Sequence, residues 1–275
     1  MQLLFLDDAA QRKPSRQRLG PVVAVGGISI EVAAARELEN ALNDFCHNEV
    51  GFPNREPFKW SPAKDHWMRT NLVGADRVRF ITDVLSLAAN HGAVALVNVS
   101  DTTKQLATKS ADKHEMDVLV MALERFNYSI KNDLGMVIVA RPSGGRNDED
   151  AFLSDCAELV SVGTSYASFE KLATNILTMP FNNSRVLQVA DLVVSITTAM
   201  VAGHTEFASP VFEPVRKILR SDLERIGGVG VKIHPDYLYR NLYHWLLGDE
   251  FYKRGNVGVP LPDRKFPFRD SPDIY

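Results

Sequence analysis

Only two cysteines, Cys46 and Cys156, occur in the 275 residues, and no Cys-x-x-Cys pair exists. That scarcity suits a reducing cytoplasm, and neither cysteine sits in a recognisable nucleophile setting. No run of about 18 apolar residues is present, so no membrane-spanning segment and no membrane partner are expected. The opening Met1-Gln2-Leu3-Leu4-Phe5-Leu6-Asp7-Asp8 lacks a basic head and carries acids where a secretion signal is apolar, and a cytoplasmic location is the expectation. The seven histidines show no metal-ligand spacing, which argues against zinc catalysis. No Gly-x-Ser-x-Gly occurs, and Gly227-Gly228-Val229-Gly230 has neither the preceding strand nor the following Lys-Ser/Thr of a phosphate loop, so it reads as a turn. Charge of one sign is lacking too. The 31 Lys and Arg against 34 Asp and Glu leave a net charge of −3, which argues against a protein coated in basic charge but not against a local basic groove.

What remains is ordinary globular composition, 45% apolar and 24% charged, which argues against long disorder, collagen and coiled coil. The length is enough to bury a core without staples, as two domains or as one large α/β domain. Residues 2–6 read as a strand buried on both faces, and residues 21–28 as a second strand reached through a polar, basic loop. Val32, Ala35, Leu38, Leu42 and Phe45 step by threes and fours, predicting a helix over about 31–49. Residues 50–66, broken by Gly51, Pro53, Pro57 and Pro62, predict a loop. A helix over 75–91, a strand over 93–99, a helix over 113–131, a strand over 136–140 and a helix over 148–162 follow. This alternation predicts a mixed sheet with helices on its faces. Helices are expected over 184–203, 211–226 and 236–247, with an irregular tail over 249–275.

Two features carry chemistry. Asp7 and Asp8 end the first strand, at the sheet edge where α/β folds place their sites. Adjacent strand residues point to opposite faces, so at most one of the pair faces a given site; the bland alternative is a turn start. The second feature is the apolar helix 184–198, in which Ser184, Gln188, Asp191, Ser195 and Thr198 fall on one face. A buried Asp191 requires a cation, a donor cluster or a metal, the bland alternative being a satisfied structural network. Brought together, a strand-end Asp and a buried-helix Asp can hold Mg²⁺ or Mn²⁺ and activate water for phosphodiester hydrolysis.

These residues resemble domain-of-unknown-function family 3800, grouped with the ribonuclease H-like folds. Leu6-Asp7-Asp8-Ala9-Ala10 stands where that family has Tyr/Ile-Asp-Glu-Ser-Gly, keeping the first acid, replacing Glu by Asp and losing Ser-Gly. Val23-Ala24-Val25-Gly26-Gly27 resembles its second strand, and Glu56-Pro57-Phe58-Lys59-Trp60-Ser61 its Glu-x-Lys-Trp-like element. The best match is its Ser-x-x-Leu-Gln-x-Ala-Asp helix, here Ser184 to Asp191. The resemblance covers residues 2–205. It implies a ribonuclease H-like domain over 2–205, a mixed central sheet flanked by helices, with a helical extension and tail over 206–275 on the same domain. Family members carry a further acid at the end of the strand that here runs Val137-Ile138-Val139-Ala140-Arg141, and this chain has none there. Asp101 and Asp148 are the candidate substitutes.

The resulting expectation is a divalent-metal-dependent nuclease using Mg²⁺ or Mn²⁺. Asp7, Asp8 and Asp191 are the candidate metal ligands, and Asp7, Asp191, Glu56 and Lys59 the candidate catalytic residues. Gln188 and Ser184 support them, Lys59 offering a point charge for phosphate. Arg12, Lys13, Arg16 and Arg18 form a candidate nucleic-acid-binding loop, RNA and DNA being equally open. Trp60 and Trp67 either stack bases or pack onto the body. The alternative is a degenerate ribonuclease H-like binding protein, a partner in a bacterial or phage-related assembly. A homo-oligomer is compatible with either.

Overall fold

The structure, a computed structural model, describes residues 1–104, 111–254 and 257–260. The opening apolar run is β1 (Gln2–Gln11), buried on both faces from Leu3 to Leu6 and alternating in exposure from Asp7 onward. The strand does not end at its acids, the expected boundary, but carries them out of the core and on to Gln11. β2 (Val22–Glu31) follows the basic loop, and β3 (Val94–Asp101), β4 (Gly135–Ala140), β5 (Leu177–Met179) and β6 (Val231–His234) complete a six-stranded mixed sheet in the order β5-β4-β1-β2-β3-β6. β1 runs parallel to β4, with Leu6 opposite Val139, and β4 runs parallel to β5, with Val139 opposite Thr178. From β1 the chain builds outward through β2 and β3, then crosses to the other side of β1 for β4 and β5. The seam between β1 and β4 is therefore a topological switch point, the crevice where open α/β sheets bind ligands.

Parallel neighbours need crossover segments, and helices supply them. α1 (Val32–Asp44) buries Ala35, Leu38 and Leu42 and runs on as a π-helical turn, Phe45–Val50, stopped by Gly51 at φ 80°. A short α2 (Trp67–Asn71) and α3 (Ala75–Asn90) follow. α4 (Ala111–Ser129) leads into β4 and α5 (Arg146–Val162) joins β4 to β5. Phe126 of α4 packs on Gly135, where a Cβ would come within 2.6 Å of the ring. Glu149 of α5 accepts the Thr178 hydroxyl. Strand alternation then turns Phe5 and Asp7 to the face opposite Thr178.

Two compact units arise from interleaved segments: 1–7, 27–94 and 123–193 in one, 8–26, 95–122 and 194–275 in the other. In the first, Phe52 is the hub of an aromatic cluster, 4.5 Å from the Trp67 ring and 5.1 Å from Phe80, with Phe58 edge-on to Phe80 at 5.6 Å. These rings order the predicted loop at 50–66, and Trp67 packs onto the body. In the second, Asp101 at the end of β3 is fully buried, accepting from the Gly20 and Thr103 amides and the Thr103 and Tyr239 hydroxyls.

The C-terminal third departs from expectation in several places. α6 (Arg185–Ala202) matches its predicted span, but α7 runs from Thr205 to Ile218 and contains Pro210 and Pro214, instead of spanning 211–226. Its end is set by pairing: Leu219 forms a parallel bridge with Ala95, and the Arg220 amide donates to the Ala95 carbonyl. The glycines at 227–230 turn into β6, a strand whose four residues were too few to signal, and the Gly227 amide is held by the buried Asp249 carboxylate. After α8 (Arg240–Leu247), the expected irregular tail holds an antiparallel hairpin, β7 (Phe251–Arg254) with β8 (Val257–Pro260), and its remainder, 261–275, lies outside the described residues. α6 is long and apolar enough to cross a membrane by length and composition, but 89% of it is buried inside the protein.

The C-terminus of α6 is capped by the basic loop. The Ser15 and Arg16 amides both donate to the Ala202 carbonyl, and the Arg16 guanidinium donates to Val201 and Met200, placing a cation at the negative end of the helix. Gly203 makes this approach possible: its φ is 88°, and a Cβ would lie 3.0 Å from the Arg16 nitrogen. Gly203→Ala is expected to lower stability by about 1–2 kcal/mol through the left-handed backbone alone, seen as a thermal midpoint lower by roughly 2–6 °C.

Candidate functional site

The polar stripe of α6 is the frame of the site, and its first member caps the helix. Ser184 Oγ accepts the Leu187 amide at 3.2 Å and donates to Glu39 of α1 at 3.0 Å. The Glu39 carboxylate also accepts the Arg185 and Val186 amides at 2.9 and 3.1 Å, so an anion sits on the positive end of α6. Arg185, buried to 5% exposure, donates to Asn43, to the Glu56 carbonyl and to Gln188, with its guanidinium beside the Phe52 and Phe58 rings. A polar cleft of about 190 Å³ opens at this end, lined by Asn43, His47, Asn54, Arg55, Asn182 and Asn183 among others.

One and two turns further along, the stripe takes hold of the Glu56–Ser61 segment through its backbone. Gln188 Oε1 accepts the Phe58 amide at 3.1 Å, and Asp191 Oδ2 accepts the Trp60 amide at 2.8 Å. Alternate amides of this irregular segment thus meet side chains three apart on a helix. Gln188 also donates to the Phe181 carbonyl at 3.3 Å. Arg77 braces the same segment, donating to the Trp60 carbonyl with its guanidinium 5.7 Å from the Trp60 ring. Burial, and then Arg69 nearby, hold the Arg77 pKa below its usual value.

The side chains of Glu56 and Lys59 are engaged locally. Glu56 accepts the Trp67 amide at 3.1 Å and lies 3.4 Å from His66, so it steadies the start of α2. Lys59 Nζ lies 4.4 Å from the centre of the Phe181 ring. Gln188 and Ser184 likewise hold loop and helix end. Gly27 of β2 lies against both α6 and β1: a Cβ there would sit 2.9 Å from Ala190 Cβ and inside the Phe5 carbonyl. Asp191 is one residue beyond Ala190, and Asp7 two beyond Phe5. Asp7 and Asp191 are both half-buried, whereas Asp8 is exposed and turned to the opposite face from Asp7.

Asp7 is next in register to Ala140, the position without an acid. Of its two candidate substitutes, Asp148 is exposed, and Asp101 is enclosed in the bonds described above. A carboxylate that sequence reasoning missed lies near the end of β4: Glu149, 3.0 Å from Arg141 Nε and bonded to Thr178. These contacts, Thr178 first, hold its pKa below the ordinary carboxylate value. Glu39 was missed as well; its only sequence signal is its place, with Asn43, beside the buried α1 stripe. Among the described residues, no group of three or more His, Cys, Asp or Glu side chains is arranged to hold a metal ion. Of the basic loop, Arg12, Lys13 and Arg18 are exposed, while Arg16 is committed to the α6 cap. Burial pushes the Cys46 thiol up to about 11 and the Cys156 thiol up to about 12, which suits the absence of a nucleophile setting.

No protein-family model and no curated protein matches this chain.

Glu39→Ala removes the acceptor of four hydrogen bonds, from Asn43, Ser184 and the Arg185 and Val186 amides, and leaves amides at the α6 start unpaired. The expected cost is roughly 2–4 kcal/mol in urea denaturation. Glu149 contributes stability that is fully present above its ordinary pKa of 4.5 and lost as pH falls through its lowered folded value. Glu149→Gln is therefore expected to flatten the acid limb of the profile of thermal midpoint against pH, leaving a curve that is shallower than wild type below about pH 4.5.

Proposed function

We propose that this chain is a ribonuclease H-like phosphodiester hydrolase acting on nucleic acid, dependent on one Mg²⁺ or Mn²⁺ ion held by Asp7 and Asp191. The observation that carries the reading is the packing of Ala190 at Gly27 of β2 beside the Phe5 carbonyl of β1, which sets the helix carrying Asp191 against the strand carrying Asp7. The mixed sheet with central β1 and flanking helices suits the architecture that the motif resemblance implies. Two free, buried cysteines suit a cytoplasmic setting.

Among the described residues no group of three or more His, Cys, Asp or Glu side chains is arranged to hold a metal ion, so the reading is confined to one ion with Asp7 and Asp191 as its two carboxylates. Mg²⁺ accepts one or two carboxylates and fills its remaining positions with water and substrate phosphate oxygens. Bound there, the ion would activate water and neutralise the leaving oxygen. The chain's own residues supply orientation and charge. The Trp60 amide fixes one Asp191 oxygen, and Gln188 holds the segment that carries that amide. Lys59, adjacent in that segment, gives a positive charge for a phosphate. Glu56 acts through α2 as a positioning residue, and Asp8, on the other face, is outside the ion's shell in this reading.

A second reading, a binding protein on the same fold that has lost catalysis, is favoured by one feature: Ala140 stands where a strand-end acid would complete the site. Cleavage of labelled single- and double-stranded RNA and DNA with Mn²⁺ separates the two. Hydrolysis by wild type is expected to fall at least about 100-fold in Asp191→Asn and Asp7→Asn, as loss of a ligand should cost no less than loss of its support. Asp191→Asn keeps an oxygen for the Trp60 amide, so its fold is expected to survive. Equal activity in wild type and both variants would overturn the site, and no cleavage of any substrate would favour the binding protein.

A further inference from the structure

We propose that Trp245, stacked on Arg16 beside the basic loop, is a base-stacking platform for a single-stranded nucleic acid. Trp245 lies on α8 outside the buried residues Leu242, Tyr243, Leu246 and Leu247, and 48% of it is exposed. An indole this open is not required by the core. It is nonetheless held, because the Arg16 guanidinium lies 4.2 Å from the centre of its ring. Arg16 itself is fixed by the Val201 and Met200 carbonyls at 2.9 and 3.1 Å. One face of the indole is thus backed by an immobile cation, so docking a base on the ring costs little ordering entropy.

On the loop side the charge suits a polyanion; on the ring's own side Asp249 is buried against the Ile226 and Gly227 amides, which leaves Glu250 as the exposed acid just past α8. No acid occurs from Ala9 to Ile30, and Arg12, Lys13 and Arg18 are exposed on the loop that delivers Arg16. The nearest acid along the chain after the α6 cap is Glu206. Cations that meet phosphates beside an aromatic face that meets a base are the two components of sequence-tolerant single-strand binding. A duplex keeps its bases stacked on each other and offers the ring nothing. A membrane surface would use the same cations, but it wants several apolar groups to insert, and this patch presents a single ring already stacked on a charge. The inference rests on the hydrolase reading for naming nucleic acid as substrate and narrows that substrate to single strands.

The test is binding without turnover. The full chain is titrated in EDTA with labelled 15-nucleotide oligo-dT and oligo-U, with a duplex of equal length and with phosphatidylserine vesicles. Trp245→Ala is expected to weaken single-strand binding about ten-fold or more, with Trp245→Phe retaining most of it. Removing Arg12 and Lys13 together is expected to make the slope of log K against log salt shallower by about 1.4. Intrinsic tryptophan emission should be quenched by the oligonucleotides, and the quench should be absent in Trp245→Phe. Undiminished binding in Trp245→Ala overturns the platform, as does binding of vesicles or duplex in place of single strands. Asp191→Asn separates this from the hydrolase reading. If cleavage is absent in every protein but Trp245-dependent binding persists, hydrolysis fails and the platform stands; the converse pattern removes the platform alone.

Discussion

A helix buried on nearly every side must find partners for its ends and its polar side chains, and α6 meets most of that demand by recruiting distant segments. Thr198 turns instead to its own Val194 carbonyl, and Thr197 Oγ1 is left without a partner. Glu39 of α1 covers its positive end, the Arg16 loop covers its negative end, and the Glu56–Ser61 segment supplies amides to Gln188 and Asp191. Arg185 is the costliest member, a guanidinium at 5% exposure, and it is tolerated because an asparagine, a glutamine and a carbonyl take its donors. Most of the candidate site is therefore a by-product of stabilising one helix.

This explains what was legible beforehand. The period of the α6 polar residues put Gln188 and Asp191 on one face, and both meet the Glu56–Ser61 segment. The first strand was readable from its apolar run, but it does not end at its two acids and continues to Gln11. Spacing cannot say what a stripe faces. Gln188 and Ser184 looked like supports for a ligand, and they turn out to bind backbone. Glu56 and Lys59 point to α2 and Phe181, contacts set by a loop whose course depends on the Phe52 cluster and has no periodicity to read. β5 and β6 have three and four residues and too little pattern to detect. The start of α7 was misplaced because a proline reads as a boundary, although Pro210 and Pro214 lie inside it.

The basic loop shows why a charge run is ambiguous in sequence. Four cations within seven residues share one composition but two roles. Arg16 turns inward to a helix end and an indole, and Arg12, Lys13 and Arg18 remain outside. The division follows from Gly203, whose missing side chain lets the loop close on the helix. Charge counting gives neither the glycine nor the tryptophan, and both decide what the loop can do.

The hold of Gln188 and Asp191 on the Glu56–Ser61 segment runs through main-chain amides at Phe58 and Trp60, beside the anchoring Phe58 ring. Any residue other than proline offers such an amide. Mutational tolerance across the site should therefore be lopsided. The helix side, where Gln188 and Asp191 provide the acceptors, admits little change, whereas Lys59 and Ser61, which are not involved in those two bonds, can be exchanged without moving the Asp191 carboxylate. Such an arrangement lets a lineage retune what the loop presents to a substrate while the geometry of the acid stays inherited.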